Sequence, residues 1–198
     1  MELGVFFGAA VLVALTPGAN NLLGMHHAVH RGLRTAVTAL LGRLAAFALM
    51  VAAVVVGLGP LLAASTVALT VLKWCGVAYL AYLGLRVLLD RGDRPERERA
   101  GSPTRKEFLT AVTNPKALLI FTAFLPQFVD QHEADPAWRL AVLGVVYLAA
   151  EALAGTTYTL LGAAIRKADL GRRARRKLDR ATGAVLLGMA GLLATSRT

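Results

Sequence analysis

Charge is scarce in this sequence. Only 17% of its 198 residues are Asp, Glu, Lys or Arg, against roughly a quarter in a soluble domain, while 56% are hydrophobic. Cysteine is almost missing: Cys75 stands alone in an apolar stretch, which excludes an intrachain disulfide framework and a cysteine-based metal site. Acidic residues number 12 against 22 basic ones, for a net charge of +10. In water that charge would point to nucleic acid, but no aromatic-interleaved basic surface accompanies it, so no nucleic-acid partner is expected. Phosphate loops, dinucleotide fingerprints and suitably placed Ser/His/Asp arrangements are also missing, so no enzyme chemistry, catalytic residue, cofactor or metal site is expected.

What the chain has instead is length of apolar sequence. The runs at 3–25, 36–64 and 138–165 each exceed the 18 or so apolar residues that read as a membrane span. The start, Met1-Glu2, has no positive n-region and runs apolar too long for a cleaved signal, so it reads as a retained span. Apolar windows between polar or Pro/Gly breaks place six spans near 2–25, 36–60, 64–89, 107–128, 138–165 and 181–196. Spans two and three are separated by Gly57-Leu58-Gly59-Pro60, which a single long helix could not accommodate.

The basic residues set orientation. Arg31 and Arg34 follow span one, Arg91 to Lys106 follow span three, and Arg166 to Arg180 follow span five, whereas the loop after span four holds only Asp130, Glu133 and Asp135. Under the positive-inside rule the three basic loops are cytoplasmic and both termini face outward.

The segment 91–102 (RGDRPERERAGS) is charged and lacks aromatics, and reads as a solvated linker. It divides one membrane domain, 1–198, into a three-helix half at 1–90 and another at 107–198, joined by a cytoplasmic stretch at 91–106. Pro17, in Thr16-Pro17-Gly18-Ala19-Asn20, interrupts span one, and Pro115, in Thr113-Asn114-Pro115-Lys116, interrupts span four. Lys73, Gly76, Leu80 and Gly84 share their spacing with Arg180, Gly183, Leu187 and Gly191. The fold expected is therefore all-α and polytopic: six transmembrane helices in two inverted three-helix repeats, with the first and fourth helices broken at proline. Broken helices at corresponding positions of inverted halves point to a transporter's binding site. The two prolines sit at unequal depths, about sixteen and nine residues into their spans.

Proline removes a backbone donor and clashes with the preceding turn, so Thr16-Pro17-Gly18 should unwind span one. The freed N–H groups and half-helix N-terminus would attract an anionic group such as an amino-acid carboxylate. Asn20, Asn21 and Asn114 add polar side chains beside the breaks. The alternative at each break is a structural kink. Arg43, Lys116 and Glu151 are the candidate ionisable residues inside spans, where a central Arg, Lys or Asp costs roughly 2.5 to 3.5 kcal/mol. Arg43 and Glu151 occupy equivalent spans and can meet across the repeat interface, where Glu151 would bind an ammonium or carry a proton; a structural ion pair or snorkelling near an interface is the alternative. Lys116 has two destinations, the Pro115 break and the cytoplasmic headgroups. His26 and His30 stand one helical turn apart beside His27, but no carboxylate or cysteine completes a metal site in the local sequence, which favours interfacial packing. The glycines at 4, 8, 76, 84, 183, 188 and 191 suit close helix packing.

Thr16-Pro17-Gly18-Ala19-Asn20 resembles the TPGPN motif near the start of the LysE/RhtB amino-acid exporters, with Ala19 in place of the second proline. Leu72-Lys73-Trp74-Cys75-Gly76-Val77-Ala78-Tyr79-Leu80, continuing to Leu83-Gly84, resembles the family's third-span signature. Thr113-Asn114-Pro115-Lys116-Ala117 with Phe124-Leu125-Pro126-Gln127-Phe128 resembles its fourth-span signature. The resemblance implies a six-helix inner-membrane exporter of amino acids of the lysine, threonine, homoserine or leucine class. It further implies drive by the proton motive force, with membrane lipid, protons and a small-molecule substrate as partners, and homodimers as an open possibility. An acidic residue in span five is familiar in that family and raises Glu151; Arg43 matches no motif. A heavy-metal or other cation exporter of the same superfamily is the alternative, motivated by His26, His27 and His30. A non-transporting scaffold is a third reading, disfavoured by the cost of an intramembrane Glu151 and two helix breaks.

Overall fold

The computed structural model describes residues 3–57, 66–89, 101–129, 135–168 and 172–195. Outside them lie Leu58-Gly59-Pro60, most of the charged linker, Asp130, Glu133 and the C-terminal Ser196-Arg197-Thr198. The described residues are helical apart from turns and contain no strand.

The first span breaks where Pro17 requires it. Helices α1 (Leu3–Leu15) and α2 (Ala19–Arg31) are 13 residues each and meet at a bend of 63°. Thr16 closes α1, its amide donating to the Leu12 and Val13 carbonyls and its hydroxyl to Leu12 O. Span one runs to Arg31 rather than to residue 25, and a single residue, Gly32, connects it to α3 (Leu33–Val55). Gly32 takes φ +85°, a left-handed conformation that favours glycine, and its amide caps Ala28 O. Arg31 and Arg34 therefore sit in helix ends.

Helix α4 spans Thr66–Leu89. Helix α5 (Pro103–Val112) starts inside the stretch expected to be linker: Ser102 caps it by accepting from the Arg105 amide, and Pro103 takes the first turn, where no N–H is needed. The chain then bends by 54° at Asn114-Pro115 into α6 (Pro115–Leu119), a π-helical turn (Ile120–Phe124) and a 3-10 turn (Leu125–Phe128). With α5 starting at Pro103, ten helical residues precede the second break and thirteen precede the first, closer depths than the sequence boundaries allowed. Helix α7 (Pro136–Lys167) is capped by Asp135, which accepts from the Trp138 amide, and α8 covers Arg172–Thr195.

Helices α3 and α7 and the Arg176–Thr195 part of α8 are long and apolar enough to cross a membrane, and each bent pair passes the same test as one broken span. The 24 residues of α4, at 1.5 Å per residue, reach about 36 Å, more than the roughly 30 Å of hydrocarbon. Large apolar side chains such as Leu12, Leu41, Leu49, Val145 and Leu192 are more than half exposed while Arg43 is fully buried. That inversion suits lipid rather than water, and the protein is a polytopic α-helical membrane protein.

The packing joins helices that are distant in sequence. Helices α1 and α2 lie on α7, α5 lies on α3, α3 meets α7, and α4 pairs with α8. Glycines permit the closest of these approaches: a Cβ on Gly42 would overlap the Thr104 carbonyl, and one on Gly162 would come within 2.5 Å of Met25 O. Gly84 and Gly183 face each other's backbone across the α4–α8 seam, and Gly76 abuts Thr113 O, as expected of packing glycines. Gly4, Gly8, Gly188 and Gly191 do not act this way, because nothing lies within 4 Å of a Cβ built on them.

Candidate substrate site

A bend within a membrane span strands the last carbonyls of one half-helix and the first amides of the next. At the first break the carbonyls all find partners. Asn21 Nδ2 donates to Ala14 O (2.8 Å) and Thr16 O (3.2 Å), Tyr158 OH to Leu15 O (3.0 Å), and Lys116 Nζ to Thr16 O (2.8 Å). Lys116 is thus turned toward the break and not toward headgroups. The amide end differs. Gly18, extended at φ −154°, gives α2 no side-chain cap, whereas Asn114 caps α6 by accepting from the Lys116 amide at 3.0 Å. The two breaks are also joined directly, Asn114 Nδ2 donating to Asn20 Oδ1 at 2.9 Å.

Beneath the breaks lies the Arg43 guanidinium, fully buried on α3. Its five N–H donors are all used. Nε and Nη2 form a fork on Glu107 (3.0 and 3.3 Å), Nη1 serves Asn21 Oδ1 (2.9 Å) and Glu151 Oε1 (3.1 Å), and Nη2 also reaches Asn20 O. Asn20 Nδ2 adds a bond to Glu107 Oε2 at 2.9 Å. Gly24 and Gly155 make room for the cluster, since a Cβ on either would stand 3.1 Å from a guanidinium nitrogen.

The two carboxylates are held differently. Glu107 has both oxygens on the Arg43 fork, forming a locked neutral pair. Glu151 gives one oxygen to Arg43 and the other to the Tyr147 hydroxyl at 3.3 Å, and it lines a cleft. That narrow cleft is bordered by Gly18, Asn20, Asn21, Asn114, Lys116 and Glu151 with an apolar wall that includes Phe47, Ile120 and Tyr147. One carboxylate and one ammonium therefore share its lining.

The sequence-predicted residues Gly18, Asn20, Asn21, Asn114, Lys116 and Glu151 converge on this cleft. Thr16 contributes its carbonyl as the Lys116 acceptor, Pro17 and Pro115 make the breaks, and Arg43 lies behind the lining as its organiser. Sequence reasoning missed Glu107, which stands at the first residue of the expected fourth span, where a charge reads as interfacial; Ser102-Pro103, a cap followed by a first-turn proline, is the signal that the helix begins before it. Tyr147 was missed too, though its place four residues before Glu151 puts it on the same helical face. His26 and His30 lie outside the cleft. The carboxylate that their neighbourhood lacks arrives from 149 residues away: Asp179 Oδ1 stands 2.6 Å from His30 Nε2 and 3.3 Å from His26 Nδ1. His27 is buried and not part of that trio.

The family model for the LysE type translocator matches residues 11–197. The chain belongs to that family. This translocator is 28% identical over 193 residues to a homoserine/homoserine lactone efflux protein of Salmonella typhimurium, covering 95% of this chain and 93% of that one. It is 33% identical over 199 residues to an uncharacterized membrane protein of Pseudomonas aeruginosa, covering 94% and 91%. A leucine efflux protein of Salmonella typhimurium matches a shorter stretch, 28% over 127 residues, or 61% of this chain and 60% of the relative. No solved structure matches. Family membership makes the protein a membrane translocator and not an enzyme.

Proposed function

We propose that this translocator exports a small zwitterionic amino acid or close derivative, of the homoserine or leucine kind, across the inner membrane by proton-coupled alternating access. One observation carries the reading: the cleft between the two helix breaks is lined by both Glu151 and Lys116. A zwitterion offers the complement, its ammonium to Glu151 and its carboxylate to Lys116 and the uncapped amides of α2. Lys116 Nζ keeps donors to spare after serving Thr16 O. Arg43 binds no cargo in this reading. It holds Glu107 and Glu151 in place, and because Glu107 takes the fork, Glu151 is the carboxylate left to exchange a proton or an ammonium.

The names of the Salmonella relatives support amino-acid derivatives as the cargo class. In the same reading the six spans form two inverted halves, 1–90 and 107–198, the basic loops are cytoplasmic and the termini are outside. Homodimers are tested by mass measurement in detergent.

The test is efflux from cells preloaded with labelled homoserine, leucine, threonine or lysine. Glu151→Gln, which keeps the shape and removes the charge, is expected to abolish export while the protein stays in the membrane. Export by this variant at the wild-type rate would overturn the role of Glu151.

Cation export is the second reading, favoured by the His26, His30 and Asp179 cluster alone. None of the three lines the cleft. A His26→Ala, His30→Ala double variant that loses metal resistance would support it, and indifference to both changes would end it.

A further inference from the structure

We propose that His26, His30 and Asp179 bind a divalent transition-metal ion that ties the far end of α2 to α8. The ligand atoms come from two helices that pack together, and all lie within 4.8 Å of one another. His26 and His30 present their rings on one face of α2, with centroids 4.4 Å apart. A tetrahedral ion at 2.0 to 2.1 Å from its ligands holds them roughly 3.4 Å from each other. The His26 to Asp179 distance of 3.3 Å already meets this, and His30, at 2.6 Å, needs to withdraw by less than about 1 Å. The side chains are 14% to 18% exposed, shielded yet reachable, with room for a fourth ligand from solvent.

Two imidazoles and one carboxylate suit Zn²⁺, Co²⁺, Ni²⁺ or Cu²⁺. Mg²⁺ and Ca²⁺ prefer all-oxygen shells, and Cu⁺ prefers sulfur. With neutral imidazoles, a bound divalent ion and Asp179 leave one net positive charge, which a hydroxide or chloride at the fourth position would cancel. The site lies roughly 8 to 14 Å along α2 from Asn21 at 1.5 Å per residue, and it does not depend on what the cleft carries.

The competing account is a hydrogen-bonded His-Asp-His bridge with no metal. Full-length protein, purified in detergent through a tag free of histidine, separates the two. Zinc titration by calorimetry is expected to give one ion per chain and a higher melting temperature. Cobalt should produce the visible bands of a tetrahedral ion, displaced by zinc. Asp179→Asn, and separately the His26→Ala, His30→Ala pair, should each weaken zinc binding at least about a hundredfold, since even losing an outer-shell partner costs 10- to 100-fold. His27→Ala, on the same helix, should leave it intact. His30→Cys, which supplies a thiolate, should retain binding and add a sulfur-to-cobalt charge-transfer band; this covers the case in which Asp179→Asn does not fold. No binding at about 100 μM zinc, or binding unmoved by these substitutions, would overturn the site.

Discussion

Arg43 Nη1 lies 3.1 Å from Glu151 Oε1, joining α3 to α7 across 108 residues of chain. The same guanidinium holds Glu107 of α5 and reaches Asn20 and Asn21 of α2, so one cation organises four helices around the cleft. Truncating it would leave two carboxylates facing each other without compensation. Arg43→Met is therefore expected to destabilise the protein by about 3 to 5 kcal/mol, the usual cost of orphaning a buried charge. Melting in detergent checks this, and Arg43→Met combined with Glu107→Gln should recover part of the loss because the locked pair is then removed as a pair.

Lys116→Met should leave the fold in place and damage transport. The ammonium donates to Thr16 O and lines the cleft, and a charged hydrogen bond contributes about 1.5 to 3 kcal/mol. Concentration-dependent uptake into inverted vesicles should show apparent affinity for the zwitterion weakened by tenfold or more. Unchanged affinity would remove Lys116 from the cargo site.

Asn114→Ala removes the α6 cap and the bond to Asn20 in one change. The expected loss is about 1 to 2 kcal/mol, the range for a helix cap, read as a lower melting temperature. Asn114→Ser, which can still cap, should recover most of it.

Two glycine substitutions should part company. On Gly42 an added methyl meets the Thr104 backbone, which cannot rotate away, so Gly42→Ala should destabilise by about 1 to 3 kcal/mol despite alanine's better helix propensity. Gly188→Ala meets nothing within 4 Å and should be neutral or slightly stabilising. Paired melting curves decide it.

Much of this architecture was legible in the sequence, and the reasons are local. Pro17 and Pro115 stand well inside apolar runs, where proline breaks a helix, and an arginine in an apolar run needs a partner, so the breaks were legible from residue chemistry while the meeting of Arg43 with Glu151 was one of the outcomes it allowed. What stayed hidden depended on helix boundaries and on long-range pairing. Glu107 follows Arg105-Lys106 and opens the expected fourth span, where it reads as an interfacial charge until Pro103 is seen to start the helix one turn earlier. Asp179 sits among Lys177 and Arg180, where its charge reads as one more solvated residue; only the packing of α8 on α2 turns it toward the histidines. The packing glycines divided for the same reason: spacing marks a small residue, but not whether a neighbour occupies the space.

The links between the breaks have a mechanical consequence. Asn114 holds Asn20, and Lys116 holds Thr16, so each half-helix end is tethered to its counterpart. Opening either bend is expected to strain or break these two bonds and so to load the other. The two breaks are expected to move as one joint, with a lysine and an asparagine as its pins.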